Sequence, residues 1–205
     1  MLDKIKLNII SNRKLCENEN LEKQIEKIFS AYEKKIILKN FDIVALTLRE
    51  KDLNKNEYLK LIEEIYPICQ KYKINLILHQ NYDLNLDEKY KIDGIHLSYS
   101  IFKSLNQNIK AGLIKKYKRI GVSIHSLDEA KEVENLGASY VVAGHIFETD
   151  CKKGLEPRGL KFVEDLSSTL TIPIFAIGGI DEKNSLSVIN NGAFSICMMS
   201  TLMKY

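Results

Sequence analysis

The chain has 205 residues, 45% of them hydrophobic and 28% charged, with a formal net charge of +3 at neutral pH. That length suits one domain that buries its own core without a covalent staple, and the composition is ordinary for a globular protein. A charge this close to balance argues against nucleic acid as a partner, because Lys34, Lys35, Lys115, Lys116 and Lys118 are scattered and read as solvated helix faces.

The opening segment, MLDKIKLNIISNRK, has a charge at position 3 and only a short apolar run, so it reads as neither a signal peptide nor a transit peptide. No stretch approaches the roughly 20 apolar residues of a membrane span. Short apolar runs then recur at Ile5–Ile10, Ile43–Leu48, Ile74–Leu78, Gly94–Leu97, Ile120–Ile124, Tyr140–Ala143, Pro173–Ile177 and Phe194–Met199. They are rich in Ile, Val and Leu, as strands buried on both faces are. Between the first two runs, Leu21–Tyr32 repeats apolar residues at Leu21, Ile25, Ile28 and Phe29. Tyr58–Cys69 does the same with Leu61, Ile62, Ile65 and Ile68. Both follow a helical period. Ser126 stands three residues before Glu129, the spacing of a capping box. Asp181 is placed to cap a helix after the seventh run.

Alternating strands and helices imply a parallel sheet with right-handed crossovers. Eight repeats predict an α/β fold, a single-domain (β/α)8 TIM barrel over residues 1–205; an open doubly wound sheet is the alternative if two of the shorter runs are loops. The chain ends directly after the eighth run, so its C-terminal helix is expected to be short or absent. The flank this exposes leaves room for a homodimer. None of Cys16, Cys69, Cys151 and Cys197 forms a CxxC pair, which speaks against a zinc ribbon or a dithiol redox site. Free thiols in a reduced cytoplasmic setting are expected.

Barrels of this class keep their chemistry at the C-terminal ends of the strands. That rule selects Arg49 and Lys51 after the second run, His79 after the third and Ser98 after the fourth. It also selects His125 after the fifth, His145 and the loop to Gly154 after the sixth, Gly178-Gly179 after the seventh and Ser200 after the eighth. The glycine pair lets backbone N–H groups approach an anion, and a following helix would point its positive end there. A tight turn with no ligand is the other reading. The sixth loop stacks His145, Glu148, Thr149, Asp150, Cys151, Lys152 and Lys153 beside one strand end. The ordinary imidazole pKa of about 6.5 suits proton transfer at neutral pH, with a structural role for His145 as the alternative. Cys151 has no base held beside it, His96 reads as a packing or locally bonded residue, and His125 as a structural hydrogen-bonder.

The stretches Gly121–Ala130, Gly144–Gly154 and Ala176–Ile180, with Leu48–Lys51 and Asp93–Leu97, resemble the thiamine phosphate synthase/TenI superfamily over nearly the whole chain. Gly144-His-Ile-Phe-Glu-Thr-Asp-Cys-Lys-Lys-Gly154 resembles the TenI branch. The synthase branch joins a pyrimidine diphosphate to a thiazole phosphate and needs Mg2+. It holds the ion with an Asp in an Asn-Asp pair after the third strand and a second Asp after the fourth. Here His79-Gln80 and Ser98-Tyr-Ser-Ile101 stand there, and Thr47 replaces a Gln two residues before Arg49. The resemblance therefore implies the TenI activity, a thiazole tautomerase that aromatises a carboxythiazole phosphate without metal or cofactor. It makes His145 the acid–base residue. Gly178, Gly179, Met199 and Ser200 would hold the phosphate, and Arg49 with Lys51 would face the carboxylate. Ser123, Thr149 and Lys152 would line the ligand. A synthase with metal ligands relocated to Asp83, Asp87 or Asp150 is the first alternative. A regulator that binds thiazole phosphate or thiamine phosphate without turnover is the second.

Overall fold

The apolar runs become eight parallel strands in a computed structural model that describes residues 4–205; Asp3, part of the opening segment, lies outside them. The strands are β1 (Ile5–Ile10), β2 (Phe41–Leu48), β3 (Asn75–His79), β4 (Gly94–Ser98), β5 (Arg119–Ile124), β6 (Tyr140–Gly144), β7 (Ile174–Ile177) and β8 (Ser195–Met198). Each pairs in parallel with the next, and β8 returns to β1, so the sheet closes as the TIM barrel expected from the sequence. Closure removes every sheet edge and puts all C-terminal strand ends on one rim.

The helices are α1 (Leu21–Glu33), α2 (Lys55–Lys71), α3 (Tyr99–Ser104), α4 (Gln107–Lys116), α5 (Leu127–Asn135), α6 (Gly159–Thr169), α7 (Ser185–Asn190) and α8 (Ser200–Met203). α1 turns Leu21, Ile25, Ile28 and Phe29 inward, all buried; each such side chain contributes about 1.5–3 kcal/mol relative to exposure. The main core fills the layer between helices and strands. A smaller cluster of Ile10, Tyr140, Val142, Phe175 and Cys197 fills the barrel interior.

Element bounds differ from the sequence reading where polar chemistry sets them. α2 starts at Lys55, ahead of the periodic Tyr58, because the capping box lies there: the Asn54 side chain accepts from Glu57 N at 3.1 Å and Glu57 Oε2 accepts from Asn54 N at 2.9 Å. At α5 only half of the expected box forms. Ser126 Oγ accepts from Glu129 N at 3.1 Å, but the Glu129 carboxylate turns to His125 N at 2.6 Å. Asp181 caps no helix directly. Its Oδ1 accepts from Lys183 N and Asn184 N at 2.8 and 3.2 Å, closing a turn that delays α7 to Ser185. The crossover from β3 to β4, residues 80–93, has no helix, whereas β4 to β5 has two. Asn and Asp crowd that crossover and leave no 3.6-residue apolar stripe, although Leu84 is buried. α8 is four residues long, a short C-terminal helix as expected.

Candidate active site

The C-terminal rim opens into a cavity of about 1020 Å3. Its wall contains all ten residues to which the resemblance gave a role: Arg49, Lys51, Ser123, His145, Thr149, Lys152, Gly178, Gly179, Met199 and Ser200. His79 and His125 are there too, together with Asn8, Thr47 and Gln80, to which the sequence reading gave no role. Asn8 carried a signal: it is a polar residue among the apolar Leu7, Ile9 and Ile10 of β1, and it is buried with them. Its Nδ2 donates to Thr47 Oγ1 at 3.1 Å, tying β1 to β2 beneath the mouth.

One sector of the rim is cationic. Arg49 and Lys51 leave the end of β2, and the loop after β6 brings Lys152 across to them. Burial pushes the Arg49 pKa down, opposed by the neighbouring Glu50 carboxylate and Cys151 thiol. Burial also lowers Lys51, and the charges of Arg49 and Lys152 lower it further. Cations held close enough to repel one another in a partly desolvated wall attract an anion strongly.

A second sector is the β7–β8 corner. Gly178 has φ +104° and Gly179 φ +66°. A Cβ on Gly178 would stand 2.3 Å from His145 Cβ, and one on Gly179 would stand 2.4 Å from the Glu148 carbonyl oxygen. The glycines are therefore required by the close seat of the β6 loop on the β7 turn, where Phe147 N donates to the Gly178 carbonyl at 2.9 Å. The amides of Gly178 and Gly179 make no hydrogen bond among the described residues and remain available as donors. α7 starts only at Ser185, later than the sequence suggested, and is six residues long.

The floor is built from histidines. His96 is buried, and its Nε2 lies 2.8 Å from Ser123 Oγ, the local bond expected of it. His79 lies beside it, equally buried. His79 N takes a hydrogen bond partner in the Tyr58 hydroxyl at 3.1 Å, and that hydroxyl donates to the Leu48 carbonyl at 2.5 Å. Tyr58 of α2 thereby clips the rim ends of β2 and β3 together. His145 stands on the wall with Nε2 3.2 Å from the Leu155 carbonyl of its own loop. Arg158 Nε donates to the Gly144 carbonyl at 3.1 Å and closes the base of that loop. His125 is exposed, with Nδ1 3.4 Å from Glu129. Cys151 is exposed while the other three cysteines are buried, and all four are free. No helix among the described residues is long and apolar enough to cross a membrane.

Comparison with known proteins agrees with this geometry. A family model described as thiamine monophosphate synthase (TMP-TENI) matches residues 7–202. The putative thiamine-phosphate synthase 2 of Aquifex aeolicus is 33% identical over 97% of this chain and 98% of its own length. The thiamine-phosphate synthase of Clostridium acetobutylicum is 29% identical over 97% of this chain and 87% of its own. Among solved structures, thiamine phosphate pyrophosphorylase from Pyrococcus furiosus superposes with TM-score 0.77 at 24% identity, covering 99% of this chain and 89% of that one. The N-acetylmannosamine-6-phosphate 2-epimerase of Clostridium perfringens shares the fold at TM-score 0.66 and 16% identity, covering 97% of this chain and 87% of that one.

These names correct the functional expectation. The relatives are called synthases, so the tautomerase, and with it the isomerase class, does not stand. Residues 144, 145 and 148–154 line the mouth, and their resemblance to one branch did not decide the chemistry. A closed barrel, a rim with a cationic and a glycine sector, and a family match over residues 7–202 place this chain in the thiamine monophosphate synthase (TMP-TENI) family.

Proposed function

We propose that the chain is a thiamine-phosphate synthase, a transferase that joins a pyrimidine diphosphate to a thiazole phosphate with loss of the diphosphate. The observation that carries this reading is the two-sector rim: three cations from two separate elements on one side and free backbone amides on another, around one cavity. Such a mouth suits two phosphate-bearing partners held at once. Arg49, Lys51 and Lys152 would take the diphosphate, whose growing charge on departure they neutralise. Gly178, Gly179 and Ser200, with Met199 beside them, would take the phosphate of the thiazole. Ser123, Thr149 and His145 would wall the ring between the sectors. Holding both partners in one pose supplies much of the acceleration for a reaction of this type.

The residues present do not fit the Mg2+ that the synthase branch uses. Magnesium is held by hard oxygen ligands, commonly one or two carboxylates. Here His79 and Gln80 stand at the end of β3 and Ser98 at the end of β4. Among the described residues no three His, Cys, Asp or Glu side chains converge. Of the relocated candidates, Asp83 is paired with Lys55 and Asp87 with Lys89, and neither lines the cavity; Asp150 does so alone. The cation sector is accordingly the part of this chain that faces the leaving group.

Incubation of the purified protein with pyrimidine diphosphate and thiazole phosphate, with and without added Mg2+, tests the reading. Thiamine phosphate should accumulate and require both partners. Its absence under both conditions, at protein concentrations that bind the two ligands, would remove the transferase. Pairing with a second copy is part of the same reading, motivated by the four-residue α8; sedimentation as a monomer at micromolar concentration would remove that part.

A further inference from the structure

We infer that Ser11, Glu50 and Arg13 form a positioning device that holds Arg49 and Lys51 in the pose that grips an anion. None of the three lines the cavity. The inference rests on the anion-binding half of the reading above and is independent of the transferase step.

Glu50 is a carboxylate only 3% exposed, set in sequence between the two cations of the β2 end. Ser11 is fully buried. Its Oγ donates to Glu50 Oε1 at 2.6 Å and accepts from Arg49 N at 2.8 Å. Both oxygens of Glu50 accept from Arg13 N at 3.1 Å, and Oε2 also accepts from Arg13 Nη1 at 3.3 Å. The same guanidinium grips Asp52 with two bonds of 2.7 and 2.9 Å. The turn that leaves β2 is thus fastened at residues 49, 50 and 52 to the segment that leaves β1. What remains free to enter the mouth is the Lys51 side chain and the guanidinium of Arg49.

A buried carboxylate is costly unless it is paired and hydrogen-bonded, and this one is saturated with donors. It also stands where its charge opposes the binding of an anion. Simple charge matching would favour a neutral residue at this position. Position explains it instead: one acceptor collects donors from both strand ends and so fixes the angle at which two long, otherwise floppy cations are presented. A group held by a supporting layer binds far better than the same group left loose.

The two effects of Glu50 have opposite signs, which makes the test decisive. Inorganic pyrophosphate is the probe, titrated calorimetrically into the full chain under conditions where circular dichroism shows each variant folded. Ser11→Ala and Glu50→Gln should each bind pyrophosphate about tenfold more weakly, although the second removes a repelling charge. Ser11→Thr, which keeps the hydroxyl, should recover most of the affinity. In an Arg49→Ala background Ser11→Ala should add little, because the group it positions is gone. Unchanged or tighter binding by Glu50→Gln, or an undiminished Ser11→Ala effect in the Arg49→Ala background, would overturn the inference and leave the anion site intact. Wild-type affinity in Arg49→Ala would overturn both. If Glu50→Gln does not fold, Ser11→Ala and its cycle with Arg49→Ala decide the matter.

Discussion

His79 and His96 stack in the floor of the mouth with ring centroids 5.7 Å apart and planes inclined by 24°. Burial, then His96, Arg49 and Lys51, push the His79 pKa down to about 2. Burial, then Arg49 and Lys51, push His96 down to about 3. Both rings are therefore neutral in the folded protein at every physiological pH, and they offer the ligand uncharged hydrogen-bonding edges.

Stability follows from that pair. In the unfolded chain each imidazole takes up a proton near ~6.5; in the folded chain neither does until far lower pH. Above pH 6.5 the two states bind equal numbers of protons at these sites and the pair has no effect. As pH falls from 6.5 towards 3 the unfolded state binds up to two more protons, and stability drops by up to about 1.4 kcal/mol per pH unit for each ring. Urea titrations at pH 7 and pH 5 should show this loss, and a His79→Gln/His96→Gln variant should lose less over the same interval. Equal losses in the two proteins would show that the rings are not held neutral.

The cation sector predicts a salt-sensitive site. Arg49→Ala should weaken pyrophosphate binding roughly 10- to 100-fold, since a guanidinium bonds an anion through a charge-assisted fork. Lys152→Ala, on an exposed loop, should cost less. Raising the ionic strength from about 0.01 to 0.15 M shortens the screening length from about 30 to 8 Å, so wild-type affinity should fall while the variants respond less. Calorimetric titrations at the two salt concentrations measure both effects.

The β7 turn predicts where a methyl group is not tolerated. Gly178→Ala must place a Cβ 2.3 Å from His145 Cβ, and at φ +104° as well. Gly154, at φ +83° in the β6 loop, has nothing within 4 Å of an added Cβ. Gly154→Ala should cost only the backbone penalty of about 1–2 kcal/mol, and Gly178→Ala clearly more, because backbone must also move. Chemical denaturation of the two variants ranks them; equal losses would mean that the loop gives way easily.

His145 predicts a change in loop order. Its imidazole meets the Leu155 carbonyl at 3.2 Å, while Arg158 holds the Gly144 carbonyl at the loop base. Removing the ring with His145→Ala should leave the barrel folded but loosen residues 147–157. Limited trypsin digestion at Lys152 or Lys153 should then proceed several-fold faster than in the wild type. An unchanged digestion rate would assign the loop's order to Arg158 and the glycine seat alone.

Much of this molecule is written in local pattern. A strand buried on both faces must be apolar along its length, so the runs beginning at Ile5, Gly94 and Tyr140 announced β1, β4 and β6 at those very starting residues. Parallel closure then sends every strand end to one rim, so counting residues past each run was enough to name Arg49, His145, Gly179 and Ser200 as wall residues. The crossover at residues 80–93 and the late start of α7 were not legible. There, side chains such as Asp181 satisfy the backbone in turns that leave no periodic trace. Nor was the choice between two chemistries legible: the resemblance of residues 144–154 pointed to one branch and the names of the relatives to the other. What joins residues distant in the chain belonged to the tertiary structure alone. Ser11 reaches Glu50 across 39 positions of sequence, Lys152 comes to face Lys51, and His79 meets His96 ring to ring. Those approaches depend on the stagger and curvature of a closed sheet, and propensity and spacing do not encode that distance.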